Sequence, residues 1–137
     1  MIVNPSIPDI VVRSLYSDPQ RPWAWILVKA VDVTLSNGDK VVIPENFTTD
    51  FATVPRLLWG IIPTIGNHNL ATLIHDHLYN VRYSVNHNKD WKADRLFCDR
   101  ELLYWLKLTG SSNIKAYAMY WAVRIGGRKW WRLPNET

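Results

Sequence analysis

The stretch ATLIHDHLY, residues 71–79, decides the fold of this chain. Its apolar residues recur every three or four positions, which is the spacing of one helix face, and the stripe continues on both sides. The stripe consists of Leu70, Ala71, Ile74, Leu78 and Val81. It predicts an amphipathic helix from about residue 69 to residue 82.

Two further helices are predicted beyond this stretch. The first begins after Asp90 or Asn88, since either side chain can cap a helix, and continues to Leu108. Ser112 opens the second, in which four apolar residues recur at helical spacing: Ile114, Tyr117, Trp121 and Ile125. Gly126 and Gly127 are expected to end it through a left-handed glycine.

The N-terminal side has the pattern of strands. Val31, Val33 and Leu35 alternate with polar residues, and Asn37-Gly38, a strong hairpin signal, precedes a return strand from Lys40 to Ile43. A short helix is expected at residues 53–59, with Pro55 in its first turn. The sequence therefore predicts an α+β fold, with a small antiparallel sheet at about residues 10–44 followed by about three main helices. At 137 residues it predicts a single domain, 1–137.

Composition excludes several classes of protein. With 47% hydrophobic and 20% charged residues the chain is globular rather than disordered. One cysteine, Cys98, excludes an internal disulfide framework and a multi-thiolate zinc site. No apolar run predicts a transmembrane segment, and no signal peptide is visible at the start, so we expect synthesis in the host cytoplasm.

Candidate catalytic residues lie on the first and second helices. His75 is on the apolar stripe, with Tyr79 one turn further on the same side, and Asp94 shares a face with Phe97 and Cys98. If the two helices pack antiparallel, Asp94 can meet His75 and fix its tautomer, so that the other ring nitrogen acts as a general base. The same three polar residues also fit a satisfied network that only holds two helices together.

Candidate ligand-binding residues lie nearby. Asp76 points away from His75 and can bind a hard cation, calcium first. In the loop before the short helix, Asp50 is a candidate metal ligand or an orienting group for His75, and Arg56 can bind an anion or pair with Asp50. Asp50 can equally cap backbone N–H groups at the start of that helix.

Four motifs, in order and at matching spacing, make roughly residues 28–127 resemble domain-of-unknown-function family 1353. They are residues 49–56 (TDFATVPR), 71–79 (ATLIHDHLY), 93–97 (ADRLF) and 120–126 (YWAVRIG). The resemblance implies a phage or prophage origin and a virion context near tail genes. It implies no settled activity.

A second resemblance is local. His75-Asp76-x-x-Tyr79 followed by Ala93-Asp94-x-x-Phe97-x-Asp99 is similar to the motif of secreted bacterial phospholipases that cleave the second acyl ester. It implies that His75 activates water, Asp76 binds calcium, and Asp94 orients His75 while bonded to Tyr79. The disulfides and the glycine-rich calcium loop of that family are missing from this chain.

Three functional hypotheses follow. The first is a hydrolase acting on an ester or amide of the bacterial envelope, in lipid or peptidoglycan. The second is a non-catalytic structural or adaptor protein of the phage tail or baseplate, incorporated in the virion, with exposed Trp and Tyr as interface anchors. Nucleic-acid binding is the weakest, because a net charge of +4 is low for it and no reader motif is present.

Overall fold

The computed structural model describes residues 7–14, 25–49, 69–84, 90–128 and 131. The chain divides into two compact units, Met1–Phe51 and Ala52–Thr137. Strands occupy the first unit and the three main helices occupy the second. The predicted α+β class is therefore confirmed. The helix expected at residues 53–59 lies outside the described residues.

The first unit contains two small antiparallel sheets. β1 (Val12–Ser14), β2 (Trp25–Leu27) and β5 (Thr48–Thr49) form a three-stranded sheet in the order β1-β2-β5. β3 (Val31–Thr34) and β4 (Lys40–Ile43) form a hairpin. The prediction of one sheet over residues 10–44 was therefore too simple, because residues 23–35 contain two strands that pair with different partners.

The hairpin follows the period-two pattern of its sequence. Val31, Val33 and Leu35 are buried, whereas Asp32 and Thr34 are exposed. Its turn has Gly38 at φ 92°, a conformation that glycine adopts without strain, and the backbone N–H of Asp39 donates to Asn37 Oδ1. The Asn-Gly pair thus sets the register in which Val31 lies opposite Ile43.

In its described residues, the second unit contains α1 (Asn69–Val81), α2 (Trp91–Leu108) and α3 (Asn113–Gly126). Asp90 and Ser112 cap α2 and α3 by accepting from the backbone N–H groups of Ala93 and Lys115. Fully buried apolar residues from all three helices form the core: Leu73, Ile74, Leu78, Cys98, Leu102, Leu106, Ala116 and Met119. No helix in the described ranges has the length and apolar character needed to cross a membrane.

The end of α3 differs from the prediction. Gly127 has φ −84° and ψ −13°, which is right-handed, so the expected left-handed glycine is not how the helix stops. Glycine is required at position 127 because neighbouring atoms leave no room for a side chain. A Cβ on Gly127 would overlap the Val123 carbonyl oxygen and lie 3.0 Å from the Tyr79 hydroxyl.

Candidate functional site

A buried carboxylate, Asp99, lies at the centre of the helical unit. Its side chain has no solvent exposure. Oδ1 is 2.8 Å from His75 Nε2 and accepts a 2.6 Å hydrogen bond from the Tyr79 hydroxyl. Oδ2 accepts a 2.7 Å bond from Arg124 Nη1. Because an ionised carboxylate only accepts, His75 carries its proton on Nε2, and one side chain connects α1, α2 and α3.

Arg95 completes this cluster. Its Nε donates to the Tyr79 hydroxyl at 3.0 Å, and its Nη2 donates to the carbonyl oxygens of Val123 and Arg124 at 2.7 and 3.0 Å. Those carbonyls belong to the last turn of α3, and the Val123 oxygen also accepts from the backbone N–H of Gly127. Arg95 therefore caps α3 from α2. We call His75, Tyr79, Arg95, Asp99 and Arg124 the Asp99 network.

The charges of the network are consistent with an ionised Asp99. Burial raises the pKa of its carboxyl, but the bonds from His75, Tyr79 and Arg124 outweigh burial and lower the pKa below its ordinary value. Burial and the neighbouring carboxylate raise the pKa of Tyr79, which therefore stays a neutral donor. The buried anion is thus matched by the guanidinium of Arg124, with Arg95 Nη2 3.8 Å away.

The sequence prediction named the wrong carboxylate. Asp94 was expected to meet His75 and to bond Tyr79, and the structure places Asp99 in both contacts. The reason is axial position in an antiparallel helix pair. Asp94 lies five residues before Asp99, about 7.5 Å closer to the start of α2, which is too far along the axis to face His75. Asp94 is itself buried in the first turn of α2.

Other candidate residues have different outcomes. Tyr79 lies beside His75 as predicted, with ring centroids 4.3 Å apart. Asp76 is half-buried on α1. Asp50 and Arg56 lie outside the described residues, so their expected metal and anion roles remain predictions. Within the described part of the chain, no three His, Cys, Asp or Glu residues are grouped so that they could hold a metal ion.

Sequence reasoning missed Arg95, Asp99 and Arg124. Each lies in a motif quoted above: Arg95 in ADRLF, Asp99 at the end of the local motif, and Arg124 in YWAVRIG. None of the three was assigned a role. A signal was available for Arg95 and Asp99. Tyr79 and Arg95 lie eight residues on either side of position 87 in the α1–α2 connection, and His75 and Asp99 lie twelve residues on either side of it. Pairing positions equally distant from the connection finds both contacts.

The arrangement has some features of a general-base site and lacks others. A carboxylate on one imidazole nitrogen, with Nδ1 left for a substrate proton, is the geometry that a His-Asp dyad requires. However, His75 is only 3% exposed and Tyr79 7%. Asp99 also shares its two oxygens among three donors, which is the pattern of a satisfied buried ion.

Comparison with known proteins places the chain in a family. The family model described as "Protein of unknown function (DUF1353)" matches residues 25–123. The uncharacterized protein y4jT of Sinorhizobium fredii (strain NBRC 101917 / NGR234) is 31% identical over 96 residues, 69% of this chain. The match spans about a quarter of that relative's length. No solved structure matches. The chain belongs to the DUF1353 family.

Proposed function

We propose that this protein is a non-catalytic adaptor of a phage tail or baseplate, made in the host cytoplasm and incorporated in the virion. The observation that carries the non-catalytic part of the proposal is the buried Asp99: its side chain is 0% exposed, and both oxygens accept hydrogen bonds from His75, Tyr79 and Arg124. The phage context is what the resemblance to the family implies. In this role the Asp99 network holds the three helices together.

The burial of the network argues against turnover at this position. A general base must come within hydrogen-bond reach of a substrate proton, directly or through one water. His75 lies in the interior with its exposed fraction at 3%. A stabilising network has the opposite requirement: it must be shielded from solvent contact, and a buried ion pair is tolerated only when its polar atoms are satisfied.

Exposed apolar side chains support a contact role. An adaptor must bind two neighbours, and large exposed hydrophobic residues occur on both compact units. The first unit exposes Val11, Val28 and Val42, and the second exposes a row of residues along α3. Other tail or baseplate proteins are the partners that we propose for at least one of these two surfaces.

The test combines assembly and stability. We expect the protein to be detected in purified phage particles, and His75→Gln to lower the free energy of unfolding while the variant, where folded, still co-assembles with a tail component. Absence of the protein from particles would overturn the proposal. An exposed substitution on the same helix, Asn80→Gln, is the matched control and should leave both measurements unchanged.

A hydrolase remains the second candidate function, favoured by the 2.8 Å contact between His75 and Asp99. Its substrate would be an ester or amide of the bacterial envelope, and its cofactor a divalent cation such as calcium. The assay compares wild type, His75→Gln and Asn80→Gln on phospholipid and peptidoglycan, with and without calcium. Hydrolysis by wild type and Asn80→Gln that is lost in a folded His75→Gln variant would establish the hydrolase and refute the adaptor.

A further inference from the structure

α3 is apolar on two faces. Ala116, Met119 and Val123 are buried against the other helices. The remaining face carries four apolar residues that are open to solvent, with exposed fractions given in order: Ile114 86%, Tyr117 43%, Trp121 56% and Ile125 83%. We call these four residues the α3 stripe. Isolated exposed hydrophobic residues are ordinary, but a continuous row of them marks a contact surface.

The α3 stripe has a defined shape. Its residues are spaced three, four and four positions apart, so they form one line about 17 Å long on the helix surface. Aliphatic side chains stand at the two ends and the aromatic ones lie between them. The high exposure of Ile114 and Ile125 shows that they project from the surface. The stripe is therefore a ridge, which can be covered by a deformable surface or by a groove in a partner.

The segment of sequence that contains the α3 stripe is basic. Residues 107–135 contain six basic side chains and no acidic one, whereas the rest of the chain has a slight acidic excess. Lys107 borders the stripe directly, because its Nζ donates to the Tyr117 hydroxyl at 3.0 Å and lies 4.5 Å from the centre of that ring. Lys115 lies on α3 itself, whereas the guanidinium of Arg124 on the same helix is paired with Asp99. A surface that covers the stripe should therefore be apolar and carry negative charge.

A second copy of the chain fits this surface poorly. Pairing of two stripes would gather Lys107 and Lys115 of both copies around one interface, and like charges brought together are unfavourable. In addition, one 14-residue helix from each copy provides less area than the roughly 1,200 Å² of a stable interface.

We propose that the α3 stripe binds an anionic lipid surface. Ile114 and Ile125 enter the acyl boundary, Tyr117 and Trp121 lie at the level of the headgroups, and the surrounding basic side chains contact lipid phosphates. A fluid bilayer accepts a projecting ridge without a preformed groove. The inference rests on the proposed adaptor function, because it names one of the two surfaces that the adaptor joins.

The test is co-sedimentation of the purified full chain with vesicles. Vesicles of phosphatidylcholine with 30% phosphatidylglycerol are compared with vesicles of phosphatidylcholine alone. We expect binding to the anionic vesicles that is at least tenfold stronger and that weakens with added salt. Ile114→Asp with Ile125→Ser should reduce it at least tenfold. Asp at position 114 lies in the first turn of α3, where an acidic side chain favours the helix.

The matched control is Val28→Asp, an exposed apolar-to-acidic change in the first unit that alters the net charge equally. It should bind as wild type does. The inference is overturned if wild type fails to sediment with anionic vesicles, or if the stripe variant, folded by circular dichroism, binds as tightly as the control. If light scattering shows that wild type is a dimer and the stripe variant a monomer, a second copy covers the stripe instead.

These outcomes are separate from those of the adaptor proposal. Vesicle binding is measured on the purified chain, whereas the adaptor proposal depends on the content of phage particles. A protein that is present in particles and does not bind vesicles would overturn the lipid inference and leave the adaptor role standing. If a photocrosslinker at position 114 captures a tail protein rather than lipid in assembled particles, the stripe is a protein interface and the lipid inference fails.

Discussion

At the scale of single residues, Asp99 connects the three helices of the helical unit. Like Arg95, it is a side chain of α2 that binds both α1 and α3, through His75 and Tyr79 on one oxygen and Arg124 on the other. Removing its charge leaves the guanidinium of Arg124, only 24% exposed, without this counter-ion. Breaking a buried ion pair from one side costs more than the pair contributes when intact.

We predict that Asp99→Asn lowers the free energy of unfolding by about 3 kcal/mol, because the amide keeps the shape of the side chain and loses its charge. Urea unfolding at pH 7 measures the change. Asp90→Asn is the matched control on the same helix, since asparagine also caps helices and Asp90 is exposed. An Asp99→Asn midpoint equal to that of wild type would show that the network does not stabilise the fold.

The same residue predicts a pH dependence. Its pKa in the folded protein lies below the ordinary value of 3.8. The stabilisation is therefore complete above pH 3.8 and is lost as the pH falls through the lower folded value. We expect the difference in stability between wild type and Asp99→Asn to be constant from pH 7 to 5 and to shrink below pH 4. A difference that grows on acidification would contradict this assignment.

Residue types and spacing predicted only part of this network. The position of His75 on the apolar stripe and its need for a carboxylate were both readable from the sequence, and so was the nearby Tyr79. The choice between Asp94 and Asp99 depends on the axial offset of two packed helices, which residue type does not indicate and the distance of each residue from the α1–α2 connection does. Arg95 and Arg124 were missed because arginine on a helix is usually solvent-exposed.

At the scale of elements, the end of α3 is fixed by a close approach. The last-turn carbonyls of α3 receive Arg95, and the backbone at Gly127 passes so near Tyr79 and Arg95 that no side chain fits there. The neighbouring Gly126 has open space around it. Two adjacent glycines thus have different roles, and only one of them is required by packing.

We predict that Gly127→Ala destabilises the protein by about 1–3 kcal/mol, because its Cβ would overlap the Val123 carbonyl oxygen, which is backbone and cannot move aside. Gly126→Ala is the control and should be neutral or slightly stabilising, since alanine favours a helix. Thermal unfolding of both variants measures the difference. Equal melting temperatures would mean that the chain relaxes around the new methyl group.

The elements themselves were predicted more accurately than their faces. Capping residues and helical spacing gave α1, α2 and α3 to within a residue or two of their observed ends. Helical spacing also identified the α3 stripe as one face, but spacing alone does not state whether that face is buried. The other face of α3, with Ala116, Met119 and Val123, is apolar as well, and it is the one that packs inside.

At the scale of the whole molecule, charge is distributed unevenly along the chain. The net charge is a modest +4, yet residues 107–135 hold six basic side chains without an acidic one. Net charge therefore understates how positive this region is. The placement of charge, rather than its sum, should control the binding of an anionic surface.

We predict that Lys115→Glu weakens binding to phosphatidylglycerol vesicles several-fold, whereas Lys40→Glu, with the same change in net charge, leaves it unchanged. Lys40 lies on β4 in the first unit, away in sequence from the α3 stripe. Glu at position 115 keeps α3 folded because it forms a capping box with Ser112. Equal weakening by the two variants in co-sedimentation would show that only net charge matters.

Some predictions about the whole molecule are confirmed, and others stay predictions. The α+β class followed from strand-like alternation at about residues 10–44 and helical spacing from about residue 69 onward. Family membership followed from four motifs, and both are confirmed. The expected single domain, the phage context and the activity stay predictions. Periodicity and motifs indicate local structure and family membership. They do not indicate the partner, because several kinds of ligand can bind a surface of the same chemistry.

The interior position of Cys98 has a practical consequence. It is the only thiol in the chain, it has no solvent exposure, and burial raises its pKa. Maleimide reagents should therefore not react with it while the protein is folded. A cysteine introduced at position 114 would then be the only reactive handle on native protein. A fluorophore or spin label placed there would report the polarity and depth of whatever α3 meets, without a cysteine-free background having to be built first.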